Sequence, residues 1–286
     1  MRRYSHAVPA ARLTIVSDTH FSLSAPETDH NWEAVVRHVE RTMPDLVIHV
    51  GDLSLDGANN ANDLLYARRQ LDRLAVEWCV VPGNHDVGEN RSGDAPAEAT
   101  NAERNRRWLE IIGADHWLIE VHDWAIVGIN AQLLGSGLDA EDEQDHWMRD
   151  TFATLDREVS VALVSHKPFT GSPADFTESA SFQFVPEAPR DRLLVIANER
   201  RLRLLISGHV HQYRTLDVGE VRHLWAPTTW AVLPDDVHST VGLKRCGIVT
   251  LELDGARVPS PELVEPEGLV QLVALHDIPD RYSHVG

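Results

Sequence analysis

The feature that most constrains this chain is where its apolar runs stop. Three short β-branched segments, Leu13-Thr14-Ile15-Val16, Leu46-Val47-Ile48-His49-Val50 and Val76-Glu77-Trp78-Cys79-Val80-Val81, run directly into polar groups. These are Ser17-Asp18-Thr19-His20, Gly51-Asp52 and Pro82-Gly83-Asn84-His85-Asp86. Between them lie two helical patterns, Trp32, Val35, Val36 and Val39 within residues 30–42, and Leu64, Leu65, Leu71 and Leu74 within residues 58–74. This βαβαβ order predicts parallel strands joined by right-handed crossovers. The polar groups recur at roughly the length of one such unit, on the order of 30 residues, so they emerge together at carboxyl ends of neighbouring strands.

The second half of the chain is richer in strand signals. A loop over 88–99 leads into a helix through Trp108, Ile111 and Ile112, stopped at Gly113. A hairpin is predicted over 117–121 and 124–129, an acidic helix over 139–155, and strands over 159–164, 202–206, 213–218, 221–225 and 247–253. Two of these strands also end on imidazoles: Val164-Ser165-His166, and Ile206-Ser207-Gly208-His209-Val210-His211. Five strand ends therefore carry metal-ligand residue types.

Each of these residues alone has a commonplace reading. A strand-end Asp is usually an Asx-turn or helix cap, and an isolated His166 is usually a hydrogen-bonded core residue. Gathered together, bare carboxylates and imidazoles would shift one another's titration, whereas divalent cations hold them deprotonated. Seven oxygen and nitrogen donors are too many for one tetrahedral ion and suit two ions about 3.5 to 4 Å apart, with Asp52, from the middle strand, as the bridge. Gly51, Gly83 and Gly208 fit places where backbone turns sharply beside a site.

Composition supports imidazole rather than thiolate chemistry, with 16 His against 2 Cys. The 286 residues are 43% hydrophobic, enough to bury a core, and neither Cys79 nor Cys246 is expected in a disulfide. Forty-four acidic against 26 basic residues give a net charge of −18, which disfavours long nucleic acid and anionic membranes. The run over 13–16 is cut by Asp18 before it reaches signal-peptide length, and no window approaches a membrane span, so a cytoplasmic protein is expected.

Asp18-Thr19-His20, Gly51-Asp52, Gly83-Asn84-His85-Asp86, Ser165-His166 and Gly208-His209-Val210-His211 resemble, in order and rough spacing, the five signature blocks of the calcineurin-like metallophosphoesterases. The resemblance spans residues 13–253 and implies an α/β fold, a four-layer αββα sandwich, in a domain over 1–255, leaving 256–286 as an extension without a predicted structure. It implies that one metal ion takes Asp18, His20, Asp52 and His211, and the other Asp52, Asn84, His166 and His209. His85 is then a catalytic residue rather than a ligand, placed to protonate the leaving oxygen or to donate to the phosphoryl group, with Asp86 orienting and charging its imidazole. The metals are drawn from Mn, Fe, Zn or Co, and solvent ionised between them is the nucleophile.

The motif forms lean towards the class III cyclic nucleotide phosphodiesterases. Leu55 stands where protein phosphatases carry an aspartate, while Ser165 and Lys167 depart from the His-His-Pro-Pro run of many phosphodiesterases. The implied substrate is a small phosphodiester or cyclic nucleotide. The alternatives are a phosphomonoesterase or nuclease of the same fold and a non-catalytic metal-binding scaffold. Three outlying features could shape specificity. Arg91, Arg104, Arg106 and Arg107 offer a phosphate clamp or a solvated helix face. The stretch 170–189, with Phe176, Phe182 and Phe184, offers a lip over the crevice, or equally packing or a homo-oligomer contact. Trp225 and Trp230 offer an aromatic face for a nucleobase.

Overall fold

The computed structural model describes residues 10–24, 29–90, 98–169, 183–255 and 257–278. The predicted β-branched runs become β1 (Ala11–Val16), β2 (Leu46–His49) and β3 (Trp78–Val80), paired in parallel. On the other side of β1, β10 (Ile248–Leu253) and β11 (Glu262–Val264) add antiparallel, giving the order β11-β10-β1-β2-β3. A second sheet contains the hairpin β4 (Trp117–Val121) and β5 (Trp124–Gly128), then β6 (Ser160–Val164), β7 (Arg201–Ser207), β8 (Arg214–Val218) and β9 (Val221–Trp225). Its order is β4-β5-β6-β7-β9-β8, with β5, β6, β7 and β9 parallel.

Strands β2, β5 and β6 bury every residue and β1 all but Arg12, which is why they read as apolar runs rather than alternating ones. Leu13, Ile15 and Ile48 point inward and meet Ile126, Val164 and Ile206 between the two sheets. Their outward neighbours Val16, Val47 and Val80 pack against Trp32, Val35 and Val39 of α1 (Asp29–Thr42), Leu64 and Leu71 of α2 (Ala61–Leu71), and Trp108, which follows a four-residue α3 (Asn84–Val87) and lies on α4 (Ala102–Ile111). Val127, Leu163 and Leu205 of the second sheet cover Met148 and Phe152 of α5 (Asp139–Thr154) and Leu193 of α6 (Glu187–Asn198). The result is the four-layer αββα sandwich, and each fully buried aliphatic chain contributes about 1.5–3 kcal/mol.

Helix α6 has no counterpart among the sequence expectations, because only Pro189, Leu193 and Ala197 are buried on it and so thin a stripe gives little periodicity. Residues 170–182, including Phe176 and Phe182, lie outside the described residues, as does Arg91. Residues 257–278 stay on the domain. Strand β11 extends the first sheet, and Ala274 and Ile278 pack on Trp230 and Ala231. Cys79 and Cys246 are both free thiols. Among the described residues, no helix is long and apolar enough to cross a membrane.

Candidate metal centre

The ends of β1, β2 and β3 from one sheet and of β6 and β7 from the other meet at one edge of the sandwich. Asp18, His20, Asp52, His209 and His211 all adopt left-handed backbone there, with φ of 52°, 47°, 50°, 69° and 53°. Few non-glycine residues do so, and each costs on the order of 1 kcal/mol or more. The turn out of the sheet brings Asp18 and His20, and likewise His209 and His211, into the same hollow.

Two clusters result. In the first, His20 Nε2 lies 3.2 Å from His211 Nε2, which is 3.4 Å from Asp18 Oδ1. In the second, His166 Nε2 lies 3.1 Å from Asp52 Oδ2, 3.2 Å from Asn84 Oδ1 and 3.2 Å from His209 Nδ1. Asp52 Oδ2 is also 3.9 Å from His20 Nε2, so this carboxylate joins the two clusters. All seven residues named from the sequence as ligands are thus together. Three groups, Asp18, His20 and His211, then Asp52, His166 and His209, and also His20, Asp52 and His85, bring donor atoms within 4.8 Å of one another, as a metal ion requires. His85 stands beside them, edge-on to His20 at 4.6 Å between ring centroids.

The donor set fits cations. His211 Nδ1 faces the Ala231 carbonyl at 2.7 Å, and His166 Nδ1 faces the Val50 carbonyl at 2.9 Å. Each acceptor fixes the proton on Nδ1 and leaves a lone pair on Nε2 directed at other acceptors. Asp18 Oδ1 is buried with no hydrogen-bond donor among the described residues. Burial lowers the His166 titration point, but the charge and hydrogen bond of Asp52 outweigh it and lift it to about 9; a proton stands in for the cation. Burial opposes ionisation of Asp52, yet His166 and His85 hold it well below the usual carboxylate range. Burial, then the charge of His85, holds His20 well below the usual imidazole range; burial, then Lys167, does the same for His209.

Asp86 has a different place from the one the sequence suggested. Its Oδ2 accepts from the amides of Leu53 (3.0 Å) and Gly83 (2.9 Å), and its Oδ1 from Ser54 N (2.8 Å) and Ser54 Oγ (2.6 Å). The group orienting His85 is the Leu55 carbonyl, 2.7 Å from Nδ1. Burial and the Asp52 charge push the Asp86 carboxyl up to about 6 against the pull of its donors. Asp86 therefore ties the second and third blocks together through these four hydrogen bonds.

Of the three glycines, only Gly51 turns through positive φ, at 101°. Gly83 and Gly208 are needed for close approach, since a Cβ would strike Asp52 from the one and Ser17 from the other. Sequence reasoning passed over His49, fully buried, with Nε2 3.0 Å from Thr19 Oγ1 and Nδ1 accepting from Gly51 N at 3.3 Å. It is the last residue of an apolar strand, and only its place beside Gly51-Asp52 could have flagged it.

The specificity features resolve differently. Arg104 donates to the carbonyls of Ala58 and Ala99 and to Asn59, and Arg107 to the carbonyls of Gly57 and Ala58, so both staple loops instead of clamping phosphate. Arg106 pairs with Glu110 on the solvated face. Trp230 is buried behind His20 at 4.9 Å, and Trp225 is buried beside Phe184, so neither offers an open face to a base.

The model of the calcineurin-like phosphoesterase family matches residues 11–213. Among curated proteins, the chain is 27% identical to the 3',5'-cyclic adenosine monophosphate phosphodiesterase CpdA of Pseudomonas aeruginosa, over 89% of this chain and 98% of that one. It is also 27% identical to a probable cyclic nucleotide phosphodiesterase of Moraxella catarrhalis, over 68% and 70%. Among solved structures it is similar to a dimetal phosphatase from Danio rerio (TM-score 0.60, 13% identity, 88% and 98% covered). A purple acid phosphatase from yellow lupin is also similar (TM-score 0.63, 16% identity, 91% and 52% covered). At these identities the structural likeness is one of fold.

Proposed function

Since the chain belongs to the calcineurin-like phosphoesterase family and is a dimetal phosphoester hydrolase, we propose that it hydrolyses a small phosphodiester of the cyclic nucleotide type. The observation that carries the two-ion reading is His166 Nε2, which lies within 3.2 Å of Asp52, Asn84 and His209 at once. The substrate class is supported by the relatives named as cyclic nucleotide phosphodiesterases and by the net charge of −18, which repels long polyanions.

Asp18, His20, Asp52 and His211 would hold one ion, and Asp52, Asn84, His166 and His209 the other. Bound there, such ions supply Lewis acidity to the phosphoryl oxygens and bring the ionisation of coordinated water towards neutral pH. The carbonyls of Val50 and Ala231 keep His166 and His211 in the tautomer that presents Nε2. The Leu55 carbonyl would hold Nδ1–H of His85, leaving Nε2 as the nitrogen that can serve the leaving oxygen, to which it can give a proton only from the doubly protonated ring. Asp86 contributes by position: its four donors lock residues 53–54 to Gly83 and so aim Asp52 and His85. The His85 amide, donating to Asp52 Oδ1 at 2.9 Å, completes that link.

The test is turnover of 3',5'-cyclic AMP, bis(p-nitrophenyl) phosphate and p-nitrophenyl phosphate by protein of known metal content. Diester turnover well above monoester turnover is expected, with Asp52→Ala losing both activity and the second equivalent of metal. Preference for the monoester would overturn the substrate class.

A further inference from the structure

Lys167 immediately follows His166, and it is among the largest fully buried side chains of the protein, 1% exposed. Its Nζ lies 2.5 Å from Glu89 Oε2. An ammonium is seldom buried to this extent, and it is retained only where a partner and a geometric purpose justify its desolvation. The two partners come from different sheets. Lys167 follows β6, with its carbonyl held by Ser165 Oγ at 2.9 Å, while Glu89 lies just past α3, the turn that starts at Asn84. Glu89 is itself anchored, its amide donating to Glu98 O and its carbonyl accepting from Thr100 N. Next to it, Asn90 Nδ2 donates to the carbonyls of Ala131 and Leu134, which lie beyond β5 of the second sheet.

We propose that the Lys167–Glu89 ion pair is a latch between the sheets that positions the ligands of the second metal ion. Asn84 comes from the first sheet and His166 and His209 from the second, so nothing within either sheet alone sets their separation. The latch lies five residues from Asn84 and one from His166, and it ties down both. Lys167 and Glu89 are positioning residues, acting through Asn84 and His166. The inference rests on the two-ion reading above.

The test is titration of the metal-stripped full chain with Mn2+, following free Mn2+ by its EPR signal, for the wild type, Lys167→Met, Glu89→Gln and Lys167→Arg. Lys167→Met and Glu89→Gln should weaken only the second binding step, by about 10- to 100-fold, the size typical of residues that orient metal ligands. Lys167→Arg should restore most of it. If Lys167→Met does not fold, Lys167→Met/Glu89→Leu leaves no unpaired buried charge and should fold with the second step still weakened. Two unchanged steps, or equal weakening of both, would overturn the latch while leaving the two-ion reading intact. A single step in the wild type would overturn both.

Discussion

Replacing Gly83 with alanine should empty the metal centre without removing a ligand. Gly83 has φ −107° and ψ −176°, extended backbone that alanine adopts freely, so the substitution carries no conformational penalty. The conflict is steric. A Cβ at this position would lie 2.8 Å from Asp52 Cγ, and nearer still to Asp52 Oδ1 and the Asp52 amide, where ordinary contact begins at 3.4 Å. Clearing Cγ alone needs a shift of roughly 0.6 Å, three times the tolerance of about 0.2 Å on metal–ligand distances. Rotating Asp52 cannot relieve the clash with its own amide, so the backbone of one block must move. Overpacking of this kind costs about 1–3 kcal/mol, too little to unfold a domain of this size but enough to displace the carboxylate shared by both clusters. The expected outcome is a folded protein by circular dichroism, with less than one metal ion per chain by elemental analysis after gel filtration, and diester turnover at background. Two ions per chain with undiminished turnover in Gly83→Ala would refute the placement of Asp52 as the bridge.

Other outcomes follow from the same contacts. His85→Gln should retain both metal ions while turnover falls by about 10²- to 10⁴-fold, the usual share of a positioned general acid; wild-type turnover would remove His85 from the mechanism. Asp86→Asn should lower thermal stability by roughly 1–3 kcal/mol, because its NH2 would face two amide donors at the Oδ2 place or the Ser54 amide at the Oδ1 place, and an unchanged melting temperature would contradict the four hydrogen bonds. His223, buried on β9, is pulled by burial from 6.5 down to about 4. The unfolded chain therefore takes up a proton that the folded protein refuses. This share of stability is intact above pH 6.5 and declines as pH falls towards 4, by about 1.4 kcal/mol per pH unit. Urea denaturation of the metal-stripped protein at pH 7 and 5.5 should show the decline, and His223→Gln should remove about that much of the slope.

The parallel core was legible because β1 and β2 are almost wholly buried and β3 leads into the buried Val80 and Val81, so all three appear as short apolar runs with polar stops. The same logic fails where burial is partial. Strand β11 buries none of its three residues fully, and α6 buries only a thin stripe, so neither leaves a period in the sequence. Residue types at strand ends gave the proposed ligand set, but they could not give the hydrogen-bond partners of Asp86, which are the amides of residues 53, 54 and 83 and the Ser54 hydroxyl. Amides have no sequence signature. Arg104 and Arg107 misled for the related reason that a guanidinium bound to carbonyls reads the same in sequence as one awaiting phosphate.

The backbone accounts for why these polar groups meet at all. Five of the seven proposed ligands lie in the left-handed region, and among the described residues only Met43, His122 and Leu275 are other non-glycine residues with positive φ. Strain so concentrated persists only where the surroundings over-determine it. The restraints are visible: the Asp18 amide donates to Gly51 O and the His20 amide to Asp52 O, so the first two blocks hold each other. Thr228 Oγ1 and the Trp230 amide both donate to Asp18 O, and the His209 amide donates to Asp18 Oδ2, binding the last block to the first across the two sheets. The ligands are thus aimed by each other's backbones before any ion arrives. A change at Thr228, which is no ligand, should therefore disturb the Asp18 side of the centre: Thr228→Val keeps the volume, removes the hydroxyl donor to Asp18 O, and should weaken the first Mn2+ step more than the second. Equal affinities in Thr228→Val and the wild type would mean that the left-handed turn at Asp18 is held by the sheet alone.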